Sequence, residues 1–494
     1  MTRQLAILVG LLTAGLAAPT LAQNFPEGAK FKTAVGCAGC HTKEPQDFDR
    51  IAILKQYKKY LPFTAFNEGL IWGDKDLHSQ AYAVLNGDRA KKMGELLKIA
   101  DVSKERSCLT CHAVDPMHGN FEPGAEEGIL AEGVGCEACH GPSSLWDGPH
   151  RLPDWRNKPS AEKTALGMVD VRDPILRMRN CLSCHMGNVK ENKIITHEMY
   201  AAGHPPLPSF EIESFADNMP RHWRYLTEKT GLSEDERKQL QYNKDELART
   251  KRVAIGGLIA LSESMKLLAD RAETDQDKSP WPALAEFDCG ACHHDLRHDN
   301  WRQRRGYAAV PGRPLMRSWP NTLIDIGWPG TDGLQEQLKP LATALSSQPF
   351  GEPKEVVKAA REIQKWADEL ATKLNTQLVD AKSAGELYEK LARRGETELL
   401  DYDSARQLAW SLIIINRELG DAGSKDKAAL DDLAKELQLQ RPVDPALTPD
   451  KKWILVTLSA QLKNRADYEP AKVQELFARL GKAPSQGPAI RGAQ

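Results

Sequence analysis

The sequence predicts a mainly α-helical protein in two parts. The first has sparse regular structure gathered around five identical motifs, and the second is a helical bundle. Three observations carry this. The motif Cys-x-x-Cys-His occurs at Cys37/Cys40/His41, Cys108/Cys111/His112, Cys136/Cys139/His140, Cys181/Cys184/His185 and Cys289/Cys292/His293, and together these use all ten cysteines. Apolar residues recur at three- and four-residue spacing in the later half of the chain. Beyond about residue 330 neither cysteine nor histidine occurs.

The motif has one chemistry that explains its spacing. Two thioether bonds must reach two vinyl groups on one edge of a haem, and one helical turn sets both sulfurs on one side. The following histidine then offers a nitrogen to the iron. Each motif is expected to carry one covalently attached haem c, five in all, with His41, His112, His140, His185 and His293 as proximal iron ligands. A zinc site would pair two Cys-x-x-Cys units around a tetrahedron. A disulfide framework would not need a histidine after every second cysteine.

In chain order, Arg3 precedes an apolar run from Leu5 to about Ala18 and small residues to Ala22. That is the layout of a secretory signal peptide over residues 1–22, cleaved after Ala22. The alternative is an uncleaved membrane anchor. Export agrees with haem c, so a periplasmic, soluble protein with no transmembrane span after cleavage is expected. With 66 basic and 68 acidic residues and no long run of one sign, nucleic-acid binding has no support. At 494 residues two domains are expected. They are a pentahaem cytochrome c domain over 23–330 and a haem-free helical domain over 331–494.

Within the first, a helix is expected from about Phe48 to Tyr60 and another from Ser79 to about Ala100, interrupted near Gly87. Pro116-Met117-His118-Gly119 reads as a turn. A long helical pattern runs from Glu234 to Ala272, with Ala254, Leu258, Leu261, Met265 and Leu268 in register. Gly256-Gly257 marks either close packing or a break. The fifth motif lies near 289–293. Arg302, Arg304, Arg305 and Arg313 form a basic patch suited either to haem propionates or to plain solvation.

The first motif, the Trp72-x5-His78-Ser79 segment, the second motif and Gly133-Val134-Gly135-Cys136-Glu137-Ala138-Cys139-His140-Gly141-Pro142 with nearby His150-Arg151 resemble the cytochrome c-554 family. Its members are multihaem electron carriers, known best as tetrahaem partners of ammonia-oxidation enzymes. The likeness covers a core of about 35–225 and implies that most haems have two histidine ligands, while one haem can be five-coordinate. By motif it implies His78 and His150 as distal ligands. The chain departs from the small members in its fifth motif, the long insertion before it and the haem-free extension.

Thirteen histidines less the five in motifs leave His78, His118, His150, His197, His204, His222, His294 and His298. His197, His204 and His222 complete the expected distal set, in a segment similar to that of other bacterial multihaem cytochromes. His118, His294 and His298 rank lower, and Met117, Met186 and Met199 read as packing residues.

Beyond residue 330, Val356, Ala359, Ile363, Trp366, Leu370 and Leu374 form an amphipathic stripe. Further helices are expected over Asp403–Leu419, stopped by Gly420, after Thr448-Pro449 towards Trp453-Ile454-Leu455, and from Pro470 to before Gly481. The stripes are either the core of a bundle of four to six helices or a docking face for a redox partner. The expected function is single-electron transfer between redox partner proteins. The alternatives are an oxidoreductase with one open haem acting on a small nitrogen or sulfur compound, and a docking subunit.

Overall fold

The computed structural model describes residues 25–44, 46–61, 64–114, 120–155, 158–229, 232–240, 242–273, 281–293, 296, 298, 312–324, 333–420, 426–439 and 463–481. These residues are helical, with isolated bridges such as Phe31 to Phe121 and Phe287 to Met316, so the protein is mainly α. The expected leader, the Thr448–Leu455 stretch, His118, Met117, His294, Arg302, Arg304 and Arg305 lie outside the described residues.

From residue 25 to about 225 the helices are short. Four of the motifs close a helix at their histidine: Ala34–His41, Arg106–His112, Cys136–His140 and Pro174–His185. The fifth begins in a 3-10 turn, Cys289–Ala291, that ends before Cys292. Local chemistry starts the helices. Glu105 accepts the Ser107 N–H at 3.1 Å, and Asp173 accepts those of Ile175 and Leu176 at 2.8 and 2.9 Å, with Pro174 in the first turn. Gly141 ends the third at φ +78°, ψ 166°, a conformation open to glycine alone, and a Cβ there would collide with the Gly167 carbonyl oxygen.

The apolar clusters of this part are small. They are Phe31, Val114, Ala125 and Ile129; then Phe48, Leu54 and Phe66; then Leu85, Leu109 and Ala113. Two expected helices are altered accordingly. Residues 48–60 form a short helix Asp47–Arg50 and a 3-10 stretch Ala52–Tyr60. Ile51, in extended conformation between them, breaks the turn so that Phe48 and Leu54 reach one cluster. Residues 79–100 form 3-10 turns and a helix Asp88–Leu97 that starts after an extended Gly87.

The main core is built on the helix Ala248–Glu273, where Ile255, Ile259, Leu261 and Leu268 are fully buried. Each such side chain contributes about 1.5–3 kcal/mol. Gly256 and Gly257 are sites of close packing and not a break: a Cβ would lie 3.1 Å from Ile212 Cγ2 and 2.8 Å from Leu323 Cβ, respectively. The expected long helix from Glu234 is two helices, Glu234–Gln239 and Ala248–Glu273. The first is polar throughout, closed by a Ser233/Glu236 capping box, and has no apolar face to continue into the core. Glu418 instead accepts the N–H groups of Arg249 and Thr250 at 3.0 and 2.7 Å, a carboxylate at the helix start.

Beyond residue 330 the described residues are again mainly helical, including Pro353–Asn375, Tyr402–Leu419 and Pro470–Phe477. Gly420 ends the second of these at φ +63°. Val356, Ala359, Ile363 and Leu374 are buried in the main core, with Trp366 and Leu370 packed on it, so this stripe is consumed by the fold. Among the described residues one core cluster takes in side chains from Met178 to Leu480. The division at 330–331 is therefore one of cysteine and histidine content, and packing crosses it.

Candidate haem-binding site

Four of the motif histidines are each faced by a histidine remote in sequence. His41 faces His150 with ring centres 6.4 Å apart and planes 22° from parallel. His197 faces His293 at 6.0 Å and 26°. His78 stands opposite His185 at 6.3 Å and 85°, and His204 opposite His112 at 6.4 Å and 83°. Burial, and after it the charge of nearby His222, pushes His140 down to about 4. Four of the five histidines singled out beside the motifs thus face a motif histidine, and His222 lies near His140. His298 is exposed, while Met186 packs on the main core.

The separations have a chemical meaning. A metal–imidazole bond is about 2 Å, so two rings on opposite faces of one iron have centres roughly 6 Å apart. Ring orientation is fixed from behind. Glu68 meets His41 Nδ1 and Asp76 meets His78 Nδ1, each at 2.9 Å. Backbone carbonyls do the same: Ala81 for His112 at 2.7 Å, Asp147 for His150, Pro205 for His204 at 2.8 Å and Pro220 for His222 at 3.4 Å. A ring whose Nδ1–H is donated in this way keeps its Nε2 lone pair for a metal. Burial alone would lower His41 and His78, yet Glu68 and Asp76 raise both, and both carboxyls are held below the usual range. Burial pushes His185 down to about 4, which favours the neutral ring that a metal requires.

The sulfurs show which motifs are neighbours. Cys37 lies against Cys136, and Cys111 against Cys184; in each pair the contact favours ionisation of one thiol and opposes that of the other. Cys139 lies near Cys181 and Cys184, and Asn180 Nδ2 donates to the Cys139 carbonyl at 3.4 Å.

Cys40 and Cys292, both expected as attachment points, depart from this pattern. Cys40 is half-buried against the cluster of Phe48, Leu54 and Phe66, because the chain after the first motif folds back over it. Cys292 is exposed, as is Cys289. The expectation of a regular helical turn carrying both sulfurs is corrected at this fifth motif. Asp288 accepts the Gly290 N–H at 3.1 Å and tightens the first residues into a 3-10 turn, after which Cys292 lies outside the helix. The spacing is still closed by the backbone, since the Cys292 and His293 N–H groups both donate to the Cys289 carbonyl, at 3.2 and 2.7 Å.

The donor set fits haem c. So do the small apolar clusters, since flat apolar groups between the motifs would supply the missing core.

Sequence reasoning missed the groups behind the ligands. Glu137 sits between the cysteines of the third motif, 4% exposed, and accepts the Lys32 and Ser143 N–H groups at 2.6 Å each. Burial pushes its carboxyl up to about 7. The one available signal was a carboxylate in a motif position filled elsewhere by alanine, leucine or glycine. Arg313, expected in a basic patch, donates to the Ser346 carbonyl at 3.2 Å, the end of the helix Leu334–Ser346.

Comparison with known proteins agrees with the geometry. Residues 67–141 match the family described as cytochrome c554 and c-prime. A cytochrome c-554 from Nitrosomonas europaea is 24% identical over 186 residues, covering 37% of this chain and 69% of that protein. No solved structure matches the chain.

Proposed function

We propose, from the premise that this is a cytochrome c-554-like chain, that it is an exported pentahaem c-type cytochrome passing single electrons between redox partner proteins, with all five irons closed by two histidines. The observation that carries this is the pairing of four remote histidines with motif histidines at 6.0–6.4 Å, with His222 near His140 as the fifth pair. The ligand pairs are His41/His150, His112/His204, His140/His222, His185/His78 and His293/His197. Haem c, when bound, supplies an iron that cycles between ferrous and ferric states. The residues do the rest. The cysteines, Cys40 and Cys292 included, fix each group covalently, and the paired imidazoles exclude other ligands. Glu68 and Asp76 make His41 and His78 stronger donors, which favours the ferric state. The sulfur contacts support a relay order of first, third, fourth and second motif.

Periplasmic placement rests on the leader-like residues 1–22 and on the export that haem c attachment requires. No helix among the described residues is long and apolar enough to cross a membrane. The partners are proteins that exchange single electrons. Docking of one on the C-terminal helices would have to use a face other than the buried stripe.

Intact-mass analysis of the purified protein, with pyridine haemochrome quantitation, tests the stoichiometry. Five haem increments per chain and a loss of residues 1–22 are expected. Four or fewer in fully matured protein, or a chain retaining its first residues, would contradict the corresponding part.

A further inference from the structure

We propose that residues 197–204 form a junction that couples the fifth haem site to the second; the proposal rests on the haem reading above. One short segment supplies the distal histidine of both. His197 opens the helix His197–Ala201 and faces His293, and His204, just past its end, faces His112. The segment is held rigidly. Thr196 caps the helix through the Met199 N–H at 3.3 Å. Gly203, at φ +112°, turns the chain so that the His204 N–H donates to the Met199 carbonyl at 2.9 Å. Seven residues at helical rise span about 10 Å, so the two ligand sets cannot move far apart.

Tyr200 lies between them. Its ring is 6.3 Å from that of His204. Its hydroxyl meets Arg317 Nη2 at 3.3 Å, and the guanidinium lies 5.8 Å from its ring. Arg317 belongs to the fifth site. The antiparallel Phe287–Met316 bridge, with the Asp288 N–H donating to the Leu315 carbonyl at 2.8 Å and the Arg317 N–H to that of Glu286 at 3.4 Å, places Arg317 opposite Glu286, within electrostatic reach of Cys289. One contact chain therefore runs His204, Tyr200, Arg317 to the attachment point of the fifth haem. The second motif also touches the fourth through Cys111 and Cys184, which makes the fifth site the far end of the relay. With haem bound at both sites, the junction would let them exchange single electrons, with no bond made or broken. Each electron enters from a donor protein or, in a test, from dithionite. Tyr200 and Arg317 are positioning residues.

The test uses the full-length holoprotein and its electron paramagnetic resonance spectrum, with stopped-flow reduction at sub-stoichiometric dithionite. His204→Ala should replace one strongly anisotropic low-spin signal by a high-spin one, and His197→Ala should do the same to one rhombic signal. If neither variant alters the spectrum, the ligand pairs themselves are wrong and the proposed function falls with them. Arg317→Gln and Tyr200→Ala should shift both signals together and slow redistribution between the two sites about tenfold or more; Tyr200→Phe and Arg317→Lys should retain most of the rate. If the histidine variants behave as stated while Arg317→Gln and Tyr200→Ala change neither signal nor rate, the junction is wrong and the ligand pairs stand. Should the larger substitutions prevent folding, Tyr200→Phe decides: loss of the hydroxyl's hydrogen bond to Arg317 must still shift both signals, and an unshifted spectrum overturns the proposal.

Discussion

Glu213→Ala is expected to lower the stability of the folded chain by about 3–5 kcal/mol, the usual cost of removing one partner from a buried ion pair. Glu213 is fully buried and holds three guanidinium groups. Arg252 pairs with it through Nε at 2.6 Å and Nη2 at 3.1 Å, Arg249 Nε lies at 2.9 Å, and Arg177 Nη1 at 3.8 Å. Arg177 sits on the helix that carries the fourth motif, and Arg249 and Arg252 on the central helix. Removing the carboxylate leaves positive charge buried where the haem-binding part meets the helical core. Burial opposes ionisation of Glu213, yet the arginines prevail and hold it down at about 2, below its ordinary 4.5. A depressed carboxylate stabilises above its unfolded value. The contribution is full above about pH 4.5 and fades as pH falls towards 2, so wild type and variant should converge in acid. Denaturant unfolding at pH 7 and across this window measures both effects. A loss below about 1 kcal/mol, the level of an exposed pair, would contradict this account.

His150→Ala should have the largest spectroscopic effect. His150 is the imidazole opposite His41, and its Nδ1 is tied to the Asp147 carbonyl, which Lys32 and Arg151 help to place through the Asp147 carboxylate. On the proposed ligand pairing, alanine would leave an open position on one iron in five. The reduced variant should then bind carbon monoxide at one site per chain, while the wild type binds none. His150→Met should close the site again and raise that haem's potential, because thioether ligation favours ferrous iron. Absence of carbon monoxide binding in a variant that retains all its haems would remove His150 from the ligand set.

The five motifs and the histidines set beside them were legible because their chemistry is local: a spacing of two residues between cysteines, a histidine following, and few histidines left over. Their pairing was not legible. His150 reaches back to His41 and His78 forward to His185, contacts made only when distant segments fold together. The same reason hid Glu68 and Glu137, whose partners are fixed by tertiary position. Identical spacing also concealed different surroundings: Cys40 packs under an aromatic cluster while Cys292 stands exposed past a 3-10 turn. Periodicity located Pro353–Asn375 and Tyr402–Leu419 well, since an amphipathic stripe is a property of the helix itself. It failed over 234–247, where charged residues suit a helix but offer nothing to bury. The change in composition at residue 330 suggested a boundary that the hydrophobic core crosses, because Met178 and Leu182 of the fourth motif's helix already belong to that core.

The central claim is that every iron is closed by two histidines, and the electron paramagnetic resonance spectrum of the oxidised protein, with and without cyanide or nitrite, tests it most directly. The angle between imidazole planes sets the splitting of the iron d orbitals. Near-parallel pairs of 22° and 26° should give ordinary rhombic low-spin signals, and the crossed pairs of 83° and 85° strongly anisotropic ones. The account predicts those two kinds of low-spin signal and no response to either ligand. A high-spin signal that shifts on adding cyanide or nitrite would contradict it and would point instead to an oxidoreductase with an open iron.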